Sequence, residues 1–251
     1  MIDLSGQHIF VAGGSRGIGR ATALLAAQAG ADISVNYVQN RAAAEATVAA
    51  VRALGRQALA VAADIAADGA VDGALDAAVA ALGPLTGLVV AAGIFEGLPI
   101  AEMSTEFWDR TMQINLRGTF LAVRAAARLL RPQRRGSIVI YASTAGQRGS
   151  SVFSAYATSK GGQLMFMRSM AKELAPDRIR VNCVAPGWTE TDMSRDAIDA
   201  EGRAGIIASI PLGRIGRPED PAGAACFLLS GLAEFITGST ITVDGGFDMR
   251  G

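Results

Sequence analysis

The chain is short of the residues on which most proton and metal chemistry depends. Its 251 residues include one histidine, His8, and two cysteines, Cys183 and Cys226. A histidine-based acid, base or metal site is thereby excluded, and proton chemistry falls to Tyr, Lys or carboxylates. The cysteines lie far apart inside apolar segments, which reads as buried thiols in a reducing compartment rather than a disulfide or metal pair. An excess of charge is missing too. The 23 basic and 23 acidic residues cancel, leaving no basic footprint for nucleic acid. No apolar run reaches the ~18 residues of a membrane span. The opening Met1-Ile-Asp-Leu-Ser-Gly-Gln-His lacks the charged and apolar regions of a signal peptide, so a cytoplasmic protein is expected. Lysine is almost absent: only Lys160 and Lys172 occur, so 21 of the 23 basic residues are arginines.

What is abundant is apolar residues, 50% of the chain, and glycine, with 30 residues. That supports one large α/β domain spanning residues 1–251. Gln7-His-Ile-Phe-Val-Ala reads as a strand, followed by Gly13-Gly-Ser-Arg-Gly17-Ile-Gly19 and an Ala-rich helix to about Gly30. A strand, a glycine turn and a helix N-terminus together form an anion site, where backbone N–H groups and the helix dipole meet a phosphate. The alternation continues. Strands are expected at Asp32–Tyr37, Ala58–Ala62 and from Gly87, with helices at Arg41–Leu54 and about Gly69–Leu82. A long helical pattern covers Thr105–Leu130, with Asn115 inside it. An apolar run then ends in Ser143, a helix runs from Ser154 to Pro176, and further strands begin at Ile179 and Thr240. This order predicts a doubly wound, Rossmann-like parallel sheet with helices on both faces and ligands beyond the strands' carboxyl ends. Thr189–Leu212 shows no clean period and is expected to be an irregular lid.

Chemistry centres on Tyr156, Lys160 four residues on, and Ser143 thirteen residues back. Positions i and i+4 share a helix face, so phenol and ammonium can lie side by side. The plain alternative is an exposed tyrosine beside a surface lysine. In an arginine-rich chain, however, a lysine below a tyrosine supplies a compact cation whose pKa can be moved. Asn115, a weak helix-interior residue, is open to a packing or solvent-facing reading.

Taken together and in order, the motifs resemble the short-chain dehydrogenase/reductase family over essentially the whole chain. They are Gly13-Gly-Ser-Arg-Gly-Ile-Gly19, Asp64-Ile65, Ala92-Gly93, Asn115, Ser143, Tyr156 with Lys160, Pro186-Gly187 and Val243-Asp-Gly-Gly246. Trp188-Thr-Glu-Thr-Asp-Met193 and Pro211–Asp220 are most similar to the 3-oxoacyl-(acyl-carrier-protein) reductases and relatives. Two departures stand out: Ala12 and Ala91 occupy positions where the family usually has Thr and Asn. Losing both ends of a buried hydrogen-bonding pair is nearly neutral, so a sound cofactor site is expected.

The resemblance implies an NAD(P)-dependent oxidoreductase acting on a ketone or secondary alcohol. Tyr156 would be the acid/base, Ser143 would hold the substrate oxygen, and Lys160 would bond the nicotinamide ribose. Asn115 would anchor a water relaying protons to Lys160. The cofactor would lie on Gly13, Ser15, Arg16, Gly17, Ile18, Gly19, Asp64, Ile65, Ala91, Gly93, Pro186 and Gly187, with Thr189 and Thr191 at the carboxamide and phosphate end. A phenol acting near neutral pH needs its anion stabilised by two to three units, roughly 3–4 kcal/mol, from Lys160 and a positive nicotinamide. NADP is preferred over NAD, since Asn36-Tyr37-Val38 offers no carboxylate to a ribose 2′-hydroxyl and Arg16 can fork onto a 2′-phosphate, with Arg41 as a second contact. Alternatively, Arg16 points to solvent and Asn36 accepts either ribose. Sugar or polyol oxidation competes with acyl-carrier ketoester reduction, and a non-catalytic dinucleotide-binding protein is the alternative of another class. Arg131, Arg134 and Arg135 read either as a docking patch for an acidic carrier protein or as caps on a helix C-terminus. Substrate choice is expected to rest on Phe95, Glu96, Gln147 and the lid. A homotetramer is implied by the family, with apolar faces along Thr119–Leu130 and Val152–Met170 and the C-terminal Phe247–Arg250 as sequence motives.

Overall fold

The computed structural model describes residues 1–249, so Arg250 lies outside them. Seven strands form one parallel sheet in the order β3-β2-β1-β4-β5-β6-β7. They are β1 His8–Ala12, β2 Asp32–Tyr37, β3 Ala58–Ala62, β4 Gly87–Val90, β5 Gly136–Tyr141, β6 Ile179–Pro186 and β7 Thr240–Val243. The intervening helices are α1 Gly17–Gln28, α2 Arg41–Ala53, α3 Ala70–Leu82, α4 Thr105–Thr111, α5 Gly118–Leu130, α6 Thr144–Arg148, α7 Ser154–Leu174, α8 Arg195–Glu201, α9 Arg203–Ser209 and α10 Glu219–Leu229.

Alternation along each strand divides the core into two layers. In β1, Phe10 and Ala12 face a layer containing Leu75 of α3, Leu121 of α5 and Met167 of α7. Ile9 and Val11 face the opposite layer, with Ala23 of α1, Val48 of α2 and Leu228 of α10. Phe10 is fully buried, which is worth about 1.5–3 kcal/mol relative to leaving it in water. The chain runs outward from β1 to β3 and returns to the other side of β1 at β4, so the order reverses between β1 and β4. The carboxyl ends at that reversal form the ligand crevice of such sheets. The one histidine is structural: His8 bonds Gly83 O at 2.9 Å and Ser34 Oγ at 2.8 Å at the opposite end of β1, and burial lowers its pKa.

Two stretches differ from the sequence reading. The Thr105–Leu130 pattern is interrupted, because Met112–Arg117 is wound as a π-helix between α4 and α5. The Asn115 carbonyl there accepts from Thr119 Oγ1 at 2.7 Å and from Gln163 Nε2 of α7 at 2.9 Å. A π-bulge of this kind frees backbone groups and re-aims a side chain. The segment 189–212 is not irregular either; it holds α8 and α9. Each has seven residues, too few to display a period. Ile198, Ile206, Ile210 and Ile215 give the segment a small core of its own, with Trp188 and Phe247 packed against it.

Candidate active site

The glycine turn is built by close approach. Gly13 has φ +77°, and a Cβ there would sit 2.7 Å from Ala92 N. The departures at Ala12 and Ala91 strand no polar side chain, because the main chain joins the segments: Ala91 N donates to Ala12 O at 2.9 Å. Gly17 (φ +54°) leads into α1, and Thr191 Cγ2 would be 3.5 Å from a Cβ placed on it, so the start of the 189–212 segment overhangs the turn. The first turn of α1 receives no side-chain cap, as Arg16 at its N-cap makes none. Its N–H groups are therefore available to an anion. Ser15, Gly17 and Ile18 are half-buried, Gly19 is buried, and Arg16 is exposed and forms no ion pair among the described residues. A dinucleotide's phosphates suit these uncapped N–H groups, and a Cβ on Gly13 would push the turn off the Ala91–Ala92 backbone against which it packs.

Asn36 does not face a ribose. It is buried, its Nδ2 donates to Ala63 O at 2.9 Å and Val61 O at 3.3 Å, and its Oδ1 accepts from Gly13 N at 3.4 Å. Its carboxamide lies behind the turn, held between β2 and β3, where strand alternation points it inward. Asp64 is exposed and caps Ala66 N at 2.9 Å. The Ile65 side chain is in the core, against Gly118, which leaves only its backbone to meet an adenine. Arg41 is engaged with Glu45 at 3.3 Å.

Asn115, Ser143, Tyr156 and Lys160 come together at the ends of β4 and β5. Asn115 is buried and grips the residues after β4: its Oδ1 accepts from Ile94 N at 2.8 Å and its Nδ2 donates to Ile94 O at 3.0 Å. A Cβ on Gly93 would be 2.9 Å from Asn115 Oδ1 and 3.9 Å from Lys160 Nζ, so both side chains converge on that glycine. The solvent-facing reading of Asn115 is thereby excluded. Lys160 is 6% exposed; its Nζ donates to Tyr141 O at 2.7 Å and lies 5.7 Å from the Tyr156 ring centroid. Burial lowers its pKa to about 8. Burial likewise drives the Tyr156 phenol up to about 12, with the Ser143 hydroxyl, its hydrogen-bond partner, pulling the other way. The depression expected from Lys160 is not seen; desolvation dominates and only the Ser143 bond opposes it. Ser143 also caps α6, accepting from Ala145 N at 3.1 Å.

Sequence reasoning missed two supporting residues. Ser159 Oγ accepts from Asn115 Nδ2 at 3.0 Å and donates to Tyr156 O at 2.7 Å, and the buried Gln163 holds both the Asn115 carbonyl and Thr119 Oγ1. Their signal was available, since positions 156, 159, 160 and 163 fall at i, i+3, i+4 and i+7 on one face of α7.

An open cleft of about 850 Å³ adjoins the phenol, bordered by Ser143, Tyr156, Lys160, Pro186, Thr189 and Thr191 among others. Gly187 N donates to Val243 O at 3.0 Å, Thr189 Oγ1 to Gly187 O at 3.1 Å, and Thr191 pairs with Ser194 at 3.0 Å. Glu96 and Gln147 are already engaged, with Arg110 and Thr242 respectively. The arginine patch lies elsewhere. Arg131 pairs with Glu173 at 2.9 Å and Asp177 at 3.1 Å, and Arg134 donates to Pro176 O at 2.8 Å. These bonds tie the ends of α5 and α7 together beside the start of β5, away from the cleft at its end. Arg131 and Arg134 are thus spent at the helix ends, while Arg135 is exposed and makes no ion pair among the described residues.

A family model described as enoyl-(acyl carrier protein) reductase matches residues 12–248. A 3-oxoacyl-[acyl-carrier-protein] reductase of Synechocystis sp. is 39% identical over 99% of this chain and 100% of its own length. An L-rhamnose 1-dehydrogenase (NAD(P)(+)) of Sphingomonas sp. is 38% identical over 97% of this chain and 96% of its own. The crystal structure of a short-chain type dehydrogenase/reductase from Mycobacterium marinum superposes with a TM-score of 0.94 at 35% identity, covering 99% of this chain and 98% of that one. With its glycine cradle, its parallel sheet and these full-length likenesses, the chain belongs to the short-chain dehydrogenase/reductase family of oxidoreductases.

Proposed function

We propose that the chain is an NADPH-dependent carbonyl reductase in which Tyr156 is the acid. The observation that carries the reading is the meeting of a protonated phenol, a serine hydroxyl and a buried lysine at the strand ends beside the glycine cradle. The bound cofactor supplies a hydride. Ser143 orients the substrate oxygen, and Tyr156 protonates it as charge develops there. A phenol with a pKa near 12 carries its proton at neutral pH, which suits reduction. The Lys160 ammonium, by attraction through space, lowers the cost of leaving a phenolate behind. Asn115 fixes the 93–94 segment that lies beside Lys160.

Support for NADP over NAD is the exposed, unpaired Arg16 together with the lack of a carboxylate at Asn36-Tyr37-Val38. With Asn36 turned inward, Arg16 is the glycine turn's own exposed cation and can fork onto a 2′-phosphate. Arg16→Ser should raise the KM for NADPH at least tenfold while changing that for NADH less than twofold; equal effects on both would remove the assignment. The rhamnose dehydrogenase likeness favours a second reading, oxidation of a sugar alcohol. A homotetramer in the cytoplasm fits the exposed Phe120 and Met165 on α5 and α7 and the two buried free thiols; a monomer in sedimentation at micromolar concentration would argue against that assembly.

A further inference from the structure

Aromatic side chains are scarce in this chain, with nine Phe, three Tyr and two Trp. Six of them, Phe95, Tyr141, Phe153, Tyr156, Trp188 and Phe247, border the one cleft. The Phe95 and Phe153 rings stack at 4.5 Å with 10° between their planes, and Phe95 meets Tyr156 edge-on at 4.7 Å and Trp188 at 6.3 Å. Arg148 lies 4.6 Å over the Phe247 ring at the rim. This wall is held in place at a backbone cost. Val152, β-branched and half exposed, has φ +67°, a conformation such residues rarely adopt. Leu98 N donates to the Val152 carbonyl at 2.9 Å, and Gly97 carries no Cβ where one would lie 2.7 Å from the Phe153 ring. Backbone strain, a backbone hydrogen bond and a missing side chain thus all serve to seat Phe153 against Phe95.

Two of the polar side chains expected to select a polyol are committed elsewhere, and the cleft's lining is mainly apolar, with Ser150 and Glu201 among its polar members. Glu96 is paired with Arg110 and Gln147 with Thr242. A site selective for hydroxyls presents unspent donors and acceptors to them. Carrier docking through Arg131 and Arg134 is likewise set aside, because those residues are bonded to Glu173, Pro176 and Asp177 at the far end of the sheet.

On the reading that this cleft reduces carbonyls, we infer that its substrate is a free ketone bearing a flat apolar ring beside the carbonyl, an aryl or conjugated cyclic ketone. The ring lies along the Phe95–Phe153–Trp188 wall, where offset and edge-to-face contacts favour a planar π-system over a flexible chain or a hydroxylated ring. The carbonyl carbon accepts hydride from the reduced nicotinamide as its C=O π bond opens. Its oxygen takes the Tyr156 proton, giving the secondary alcohol and the oxidised cofactor.

The test is NADPH oxidation with acetophenone, 1-tetralone, acetoacetyl-coenzyme A and, in the reverse direction with NADP, L-rhamnose. It is run on the wild-type chain and on Phe153→Leu, which keeps apolar volume and removes the ring. The kcat/KM for the aryl ketones should exceed those for the thioester and the sugar at least tenfold. In Phe153→Leu that preference should fall at least fivefold, while the NADPH Kd from fluorescence titration shifts less than twofold. A higher kcat/KM for the thioester or the sugar, or an unchanged preference in Phe153→Leu, overturns the inference and leaves the reductase reading standing. NADPH binding with no turnover of any compound overturns both.

Discussion

The two sides of the cleft are built by opposite means. Under β1, β2 and the residues after β4, positions matter for what they lack: Gly13 leaves space for Ala92, Gly19 for the Gly13 carbonyl, and Ala12 and Ala91 are joined by main chain alone. On the side of β5 and α7, positions matter for what they carry: a phenol, an ammonium, a hydroxyl and the amides that hold them. The first side binds with backbone, which is insensitive to its neighbours' chemistry and very sensitive to volume. The second acts through titrating groups, which are sensitive to burial and charge. Substitutions should therefore separate binding from turnover according to the side they strike.

Tyr156→Phe gives the largest separation. It removes the transferable proton and keeps the ring that packs on Phe95, so turnover should fall by about 10²–10⁴-fold with NADPH affinity within twofold of wild type. Steady-state kinetics and a fluorescence titration on the same preparation read both. Gly13→Ala is the converse. A left-handed backbone costs about 1–2 kcal/mol in an L-residue, and the new methyl would meet Ala92 N at 2.7 Å. If the turn shifts to relieve that cost and binding bears it, then at 1.4 kcal/mol per tenfold cofactor affinity should weaken by about 5- to 30-fold, with kcat at saturating NADPH much less affected. If Gly13→Ala bound NADPH normally, the division into two sides would fail.

The smallest effect sharpens the comparison through pH. Lys160 holds a pKa near 8 in the fold against 10.5 in a free side chain. Reduction should therefore be level below about pH 7 and decline through a midpoint near 8 as the ammonium is lost. Stability should move the other way. The unfolded chain binds the extra proton between about 8 and 10.5, so the contribution of Lys160 to stability grows as pH rises through that window. Tyr156, raised to about 12 from 10, reverses the sign above pH 10. A rate profile flat across pH 8 would mean that the lysine does not need its charge.

How much of this was legible beforehand differs by side as well. The glycine cradle was readable because steric demands write themselves as glycines between a strand and a helix, and the parallel sheet followed from the alternation of apolar runs. The pairing of Tyr156 with Lys160 was readable from its i, i+4 spacing, and their roles with Ser143 only through the family resemblance. Asn36 was misread because the fold, not the sequence position, decides that its amide turns behind the turn to Val61 and Ala63. The π-helix around Asn115 was invisible, since its freed carbonyl finds a tertiary partner in Gln163, 48 positions later. The helices α8 and α9 escaped because two turns apiece carry too little periodicity. The strain at Val152 has no sequence signature at all, and the arginines at 131 and 134 needed the topology to place them at the far end.

On the proposed function, hydride passes to a carbonyl in this cleft with Tyr156 as the proton source. This is tested most directly by mixing the chain with NADPH deuterated at C4 on the transferring face and acetophenone, then examining the alcohol by mass spectrometry. The wild-type product should carry one deuterium on the carbinol carbon, and Tyr156→Phe, equally loaded with cofactor, should form it at least a hundredfold more slowly. Binding of NADPH with no labelled alcohol from acetophenone or any other carbonyl offered, or equal rates in the two proteins, would contradict the account and point to a dinucleotide-binding protein without this chemistry.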